Sequence, residues 1–344
     1  MNKVARMPAR ERAELFAETA ERKALAEAII EKDFWVCWVL KQLFSIDAFN
    51  GRLLFKGGTS LSKIFHTINR FSEDIDLAVD YAALGFTRSR DPRQENISKS
   101  KRANILKEMM AECQRYIGGE FLDVLKARCR EVLGTVDAWD LGVSGQDPNV
   151  VEFRYPASTT KSLSYVAPQV VLELGTHAEF VPHDCFTICS FAGEEFPSAV
   201  ADRDVSVVAL LAKRTFWEKA TILHAEYHRP SDKPMPDRYS RHYYDTAVMA
   251  QGKIRTEALG DRELLAQVVR HKETFYPSGW ARYDLARPGS LCLVPQKERM
   301  AGLDRDYRNM AAMIFGEPPP FGWISDTLAK LEAEINKIND KPRQ

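Results

Sequence analysis

KGGTSLSKIFHTINRFSEDIDLAVD, residues 56–80, decides the fold. The apolar run RLLFK before it is stopped by two glycines, and TSLSKIFHTI follows with helical character, Thr59 or Ser60 standing where a helix is capped. DIDLAVD then alternates carboxylate and aliphatic residues, the period of a strand, so Asp74 and Asp76 project to one face. Two carboxylates on one face repel unless a cation neutralises them, and hard oxygen ligands with room for phosphate oxygens suit Mg²⁺. Gly57 and Gly58 allow the backbone to approach a triphosphate, and the start of a helix offers free N–H groups to its oxygens. Lys56 and Lys63 flank this loop and are placed to neutralise the same ligand. A DxD alone is commonplace on solvated strands, and a Gly-Gly pair is usually only a turn. In the order strand, Gly-Gly, Thr-Ser, helix, DxD strand, they put a phosphate cradle beside metal carboxylates.

Outward from that stretch, Pro8 to about Lys23 reads as a charged, solvated helix, and ALAEAIIEKDFWVCWVLKQLF as a helix apolar on most sides and therefore buried. Trp35 and Trp38 are core residues on this reading. Asn96–Tyr116 and Glu120–Leu133 read as two further helices. TVDAWDL, VVEFRYP and QVVLELGT are strand candidates whose spacing fits a mixed or largely antiparallel sheet rather than a repeated βαβ array. Glu173 interrupts the apolar alternation of QVVLELGT, so it is the first choice for a third carboxylate beside Asp74 and Asp76, with Glu152 in VVEFRYP as the alternative. From about Val205 the character changes. VVALLAKRTFWEKATILHAEY, RYSRHYYDTAVMAQG, RELLAQVVRHKETF, DYRNMAAMIF and WISDTLAKLEAEINKI all carry helical periodicity. The expected division is a mixed α/β catalytic lobe over residues 1–200 and a mainly helical lobe over 201–344, an α+β architecture overall.

The formal net charge of zero gives no global attraction to nucleic acid, so any polyanion site must be a local patch. Residues 87–107, dense in Lys and Arg, and 228–244, where Arg229, Lys233, Arg238 and Arg241 alternate with Tyr239, Tyr243 and Tyr244, are the candidates for RNA. The six cysteines have no CxxC pairing, which argues against a zinc site and a disulfide framework and for reduced thiols. Cys185 and Cys189 are spaced to meet on a helix. HAEYH, residues 224–228, has the i, i+4 histidine spacing but lacks the glutamate of a metalloprotease helix. The charged N-terminus and the absence of any apolar run of membrane length predict a cytoplasmic protein.

Gly-Gly-Thr followed by DxD resembles the signature of the polymerase-β-like nucleotidyltransferase superfamily. The longer form, Lys56-Gly57-Gly58-Thr59-Ser60-Leu61-Ser62-Lys63 with Arg70-Phe71-Ser72-Glu73-Asp74-Ile75-Asp76-Leu77, resembles the AbiEii/AbiGii toxin family within it, which includes the mycobacterial MenT enzymes. EKDFW, WEKATILH and RHYYDTAVM resemble that family's N-terminal helix and its later lysine and aspartate motifs. The resemblance implies a polymerase-β-like lobe, with Gly57, Gly58 and Thr59 or Ser60 at the phosphates and Asp74 and Asp76 on two Mg²⁺, completed by Glu173. It further implies Lys219 at the nucleotide phosphates and Asp245 supporting the active site. His242 stands where the family often has an acid. The implied activity is transfer of a nucleotide from an NTP to an acceptor hydroxyl, the 3′ end of a tRNA, by a toxin under control of an antitoxin. A protein hydroxyl as acceptor, and a module that binds NTP without transferring it, are the alternatives left open by the residues.

Overall fold

The structure, a computed structural model, describes residues 1–72, 74–134, 138–159 and 167–338. The chain divides into two compact units. Met1–Ile64 with Ser72–Leu210 forms the first, and Phe65–Phe71 with Leu211–Gln344 the second.

The first unit is built on a seven-stranded mixed sheet in the order β3-β4-β5-β2-β1-β7-β6. Its strands are β1 (Leu53–Lys56), β2 (Asp74–Val79), β3 (Asp140–Val143), β4 (Val150–Arg154), β5 (Gln169–Gly175), β6 (His183–Ile188) and β7 (Val205–Leu210). β2 runs antiparallel to β1 and parallel to β5, while β1 and β7 are parallel at Phe55 and Ala209. Glu73 and the first residues of TVDAWDL lie outside the described residues; the strand there begins at Asp140.

One face of this sheet is apolar. Ile75, Leu77, Leu172, Leu174, Val151 and Phe153 are all buried on it, as the alternation of each strand requires. The helices of the unit are α1 (Asn2–Ala5), α2 (Ala9–Lys23), α3 (Glu27–Phe44), α4 (Gly57–Lys63), α5 (Lys99–Tyr116), α6 (Leu122–Leu133) and α7 (Phe191–Glu195). α3 is the central one: Trp38 stacks on Phe153 at 5.6 Å and Trp35 on Tyr155 at 5.5 Å, both tryptophans being fully buried. At roughly 25 cal/mol per Å² and about 150–250 Å² for each ring, each contributes on the order of 5 kcal/mol as an upper bound. That is why this helix is a core element and not a ligand surface.

Three charged residues in a row, Glu31, Lys32 and Asp33, are buried on α3 and all three are satisfied. Glu31 accepts from the backbone N–H and hydroxyl of Ser158 at 2.7 Å each, and from those of Thr159 at 3.0 and 2.6 Å. Lys32 donates to the Ala167 carbonyl at 3.2 Å. The pair therefore fixes the chain where it leaves β4 and where it returns to β5. Asp33 takes the Phe191 N–H at 2.7 Å and the Lys63 ammonium at 2.7 Å, tying α3 to α7 and α4.

The second unit is helical: α8 (Ala212–Tyr227), α9 (Ser240–Met249), α10 (Lys253–Gly260), α11 (Arg262–Phe275), α12 (Lys297–Met310) and α13 (Phe321–Asn336). Trp217 of α8 donates to the Ala258 carbonyl of α10 at 3.2 Å. Residues 65–71 join this unit by pairing with the chain after α12: the Phe71 N–H meets the Met313 carbonyl at 2.7 Å and the Phe315 N–H the Asn69 carbonyl at 2.8 Å.

Two local expectations fail. VVALLAKRTFWEKATILHAEY is not one helix, because Val205–Leu210 alternates β-branched residues and pairs with β6, and the helix starts only at Ala212. Cys185 lies in strand β6 and Cys189 just past its end, so the two do not meet on a helix. No helix among the described residues is long and apolar enough to cross a membrane.

Candidate active site

The second face of the sheet in the first unit is polar where β1, β2, β5 and β4 lie side by side. Lys56 is in register with Asp76, and Asp76 with Glu173 on β5. In the next row Asp74 is in register with Val171, and Val171 with Glu152 on β4. Since residues in register share a face, Asp74, Asp76, Glu173 and Glu152 all project the same way. Neighbouring strands are about 4.8 Å apart, so Glu173 stands one strand from Asp76 while Glu152 stands two strands from Asp74. β5 is an interior strand, not an edge. Glu173 is exposed and Asp74 and Asp76 half-buried. Carboxylates gathered on one open face are a hard-oxygen donor set, which fits Mg²⁺.

The glycine loop is locked onto these carboxylates. Gly57 has φ of +79°, a conformation that L side chains rarely adopt, and a Cβ placed on it would fall 1.8 Å from Asp76 Oδ2. Only glycine lets this carboxylate lie so close against the backbone. Thr59 donates its hydroxyl to the Asp74 carbonyl at 2.5 Å, and Ser60 donates to the Gly57 carbonyl at 2.9 Å. Contrary to the expectation from sequence, neither hydroxyl caps α4; Lys56 occupies the N-cap position and makes no side-chain cap. Both side chains are buried, and their hydrogen bonds hold loop and strand together.

Lys63 is not turned outward. Its ammonium pairs with Asp33 at 2.7 Å and lies 4.2 Å from the centre of the Phe191 ring. Burial opposes its charge, but Asp33 outweighs burial and raises the pKa. Lys63→Met is therefore expected to lower the unfolding free energy by about 3–5 kcal/mol, because it strands a buried carboxylate. Asp33→Leu/Lys63→Met should recover most of that in urea unfolding. A phosphate-binding Lys63 would instead raise KM for NTP and leave stability within about 0.5 kcal/mol.

In the second unit, Lys219 of α8 and Asp245 of α9 form an ion pair of 2.9 Å. Arg70 completes it, with Nε 2.8 Å from Asp245 Oδ1 and Nη2 2.9 Å from Oδ2, a bidentate fork. Asp245 is fully buried. Burial alone would raise its pKa, but Arg70 and then Lys219 outweigh it and hold the carboxyl below the usual range. His242 Nδ1 lies 3.5 Å from the Lys219 ammonium. Burial first, then Lys219 and Arg241, push His242 well below its ordinary pKa, so it is neutral and accepts from the lysine. Two cations, Arg70 and Lys219, thus pair with the Asp245 carboxylate. Sequence reading gave Arg70 no role; its partner lies 175 residues away and no local pattern announces it.

The basic segments are partly spoken for. Arg90 pairs with Glu108, Arg93 with Asp91 and Glu179, and Arg229 with Glu226. Arg102 donates to the Pro92 and Gln94 carbonyls at 2.8 Å.

No curated protein matches the chain. Among solved structures it is similar to MenT4, a nucleotidyltransferase toxin from Mycobacterium tuberculosis H37Rv, at 16% identity and a TM-score of 0.40, covering 94% of this chain and 99% of that one. It is also similar to JHP933 from Helicobacter pylori, at 12% identity and a TM-score of 0.42, covering 91% and 94%. The family described as nucleotidyl transferase AbiEii toxin, type IV toxin–antitoxin system, matches residues 38–330. With most of its length matched in this way, the chain belongs to the AbiEii nucleotidyltransferase toxin family.

Proposed function

We propose that the chain transfers a nucleotide from an NTP to an acceptor hydroxyl, the 3′ end of a tRNA, and that it does so at the polar face built from Gly57, Gly58, Asp74, Asp76 and Glu173. The observation that carries this reading is the contact of Gly57 with the Asp76 carboxylate, which leaves no room for a side chain. A loop that presents bare backbone against an acidic row has the shape a triphosphate with its cation needs. Asp74, Asp76 and Glu173 would hold Mg²⁺, which supplies charge stabilisation at the α-phosphate and at the leaving pyrophosphate. Glu173 is preferred to Glu152 because it is in register with Asp76.

In the reaction the acceptor oxygen bonds to the α-phosphorus as the bond to pyrophosphate breaks, and the hydroxyl proton passes to water. The chain's own contribution is positioning. Thr59 fixes the glycine loop to β2, and Asp33 with Lys63 fixes the far end of α4. The family resemblance assigns Lys219 to the nucleotide phosphates. Asp245 and Arg70 hold that lysine in place rather than touch substrate, so Asp245 is a positioning residue on this reading. Residues 1–210 (without 65–71) would be the catalytic lobe. As a toxin, the chain would be restrained by a cognate antitoxin protein.

The test is incubation with each of the four labelled NTPs, Mg²⁺ and total bacterial tRNA, followed by nuclease or protease digestion of the product. Label on nuclease-sensitive material, lost in Asp74→Asn, is the expected result and names the base. Label on protein alone would replace the RNA acceptor by a protein hydroxyl. No label on either, with NTP and Mg²⁺ still bound, would leave a binding module and defeat the proposal.

A further inference from the structure

His224 and His228 lie one turn apart on α8 and leave it on the same side, with ring centroids 4.7 Å apart. Cys292 comes from the irregular stretch between α11 and α12, far along the chain. One ligand atom from each of these three residues lies within 4.8 Å of the other two.

The surroundings orient the group. His224 Nε2 is 2.9 Å from the Arg282 carbonyl. A carbonyl only accepts, so Nε2 carries the proton and Nδ1 the lone pair. That lone pair faces Cys292, whose backbone N–H donates to it at 3.1 Å. A histidine that gives one ring N–H to a backbone carbonyl has the outer-shell arrangement of a metal ligand. His228 Nε2 is buried without a hydrogen-bond partner among the described residues. Leaving such a group unmet costs about 1–3 kcal/mol. Cys292 also lines a cavity of about 830 Å³ with Tyr227, Gln296 and Glu332, an entry path for an ion and a source of water for a further coordination position.

We propose that His224, His228 and Cys292 form a zinc site that staples α8 to the chain before α12. Two imidazoles and one thiolate are a borderline-soft donor set that favours zinc over Mg²⁺. On binding, the Cys292 thiol gives its proton to solvent, and the ion takes the place of the Cys292 N–H at His224 Nδ1. The site lacks a glutamate directly after His224, the base of a metalloprotease helix. It holds the helix that carries Lys219, and it uses none of the residues assigned to nucleotide transfer.

The test is titration of the untagged full chain, freed of metal by a chelator, with Co²⁺. The expected result is one equivalent bound, a near-ultraviolet thiolate-to-cobalt band and visible bands of four-coordinate cobalt, all bleached by Zn²⁺. Cys292→Ser should remove the near-ultraviolet band, His228→Ala should weaken Co²⁺ binding by about tenfold or more, and Cys189→Ser should change neither. Should the variants fold poorly, X-ray absorption at the zinc edge of the wild-type protein decides instead: one sulfur and two imidazole nitrogens are expected. No thiolate band, a band that survives Cys292→Ser, or a zinc shell without sulfur would overturn the site. None of these readouts depends on nucleotide transfer.

Discussion

Gly57→Ala is expected to abolish nucleotide transfer while the chain still folds. The methyl group would fall 1.8 Å from Asp76 Oδ2 and 2.4 Å from its Cγ, so the carboxylate or the loop must move by more than an ångström. A displacement of that size at reacting groups costs about 100-fold in rate or more. The positive φ adds about 1–2 kcal/mol of backbone strain, a modest loss for a unit whose core is built around α3. Steady-state transfer rates with urea unfolding of the same samples check both halves. Gly302→Ala, in the middle of α12 with nothing within 4 Å of the added methyl, is the control and should be neutral or slightly stabilising. A Gly57→Ala protein that transfers within a few-fold of wild type would show that Asp76 need not lie against this loop.

Asp245→Asn should destabilise the chain by about 3–5 kcal/mol, because it removes the buried carboxylate that pairs with both Arg70 and Lys219. The pH dependence has a definite sign. The folded carboxyl titrates below its unfolded value of about 3.9, so the unfolded state binds more protons and stability rises with pH across that window. The contribution is complete above the unfolded pKa and is lost as pH falls through the folded one. The gap between wild type and variant should therefore stay constant from pH 8 to about 5 and close only in acid. A gap that changed between pH 8 and 6 would mean that a different group, such as His242, governs the cluster. Transfer should fall as well, because Lys219 loses the partner that orients it.

What the sequence made legible is what local periodicity records. The DxD strand, the apolar helix around Trp35 and Trp38, and the glycine turn are short-range patterns, and each stands where its pattern puts it. β7 was hidden because its β-branched run passes without a break signal into the apolar start of α8. β6 was hidden because its residues are mostly exposed and show no alternation. The roles of polar residues were less legible than their positions. Thr59 and Ser60 look like caps because hydroxyls after a strand usually are, yet here they donate to carbonyls of the same loop and of β2. Lys63 beside a glycine loop looks like a phosphate ligand until Asp33, thirty residues earlier on α3, takes its charge. Arg70 with Asp245, and Cys292 with His224 and His228, are long-range pairings that no spacing rule reaches.

Pyrophosphate release measured for Asp76→Asn, Glu173→Gln and Glu152→Gln beside wild type, each checked for native stability, tests the acidic face most directly. The two residues in register on β2 and β5 should each lose roughly 100- to 1,000-fold in rate, while Glu152→Gln stays within a few-fold. Wild-type rates in both Asp76→Asn and Glu173→Gln would contradict the assignment of the acidic face as the site of nucleotide transfer.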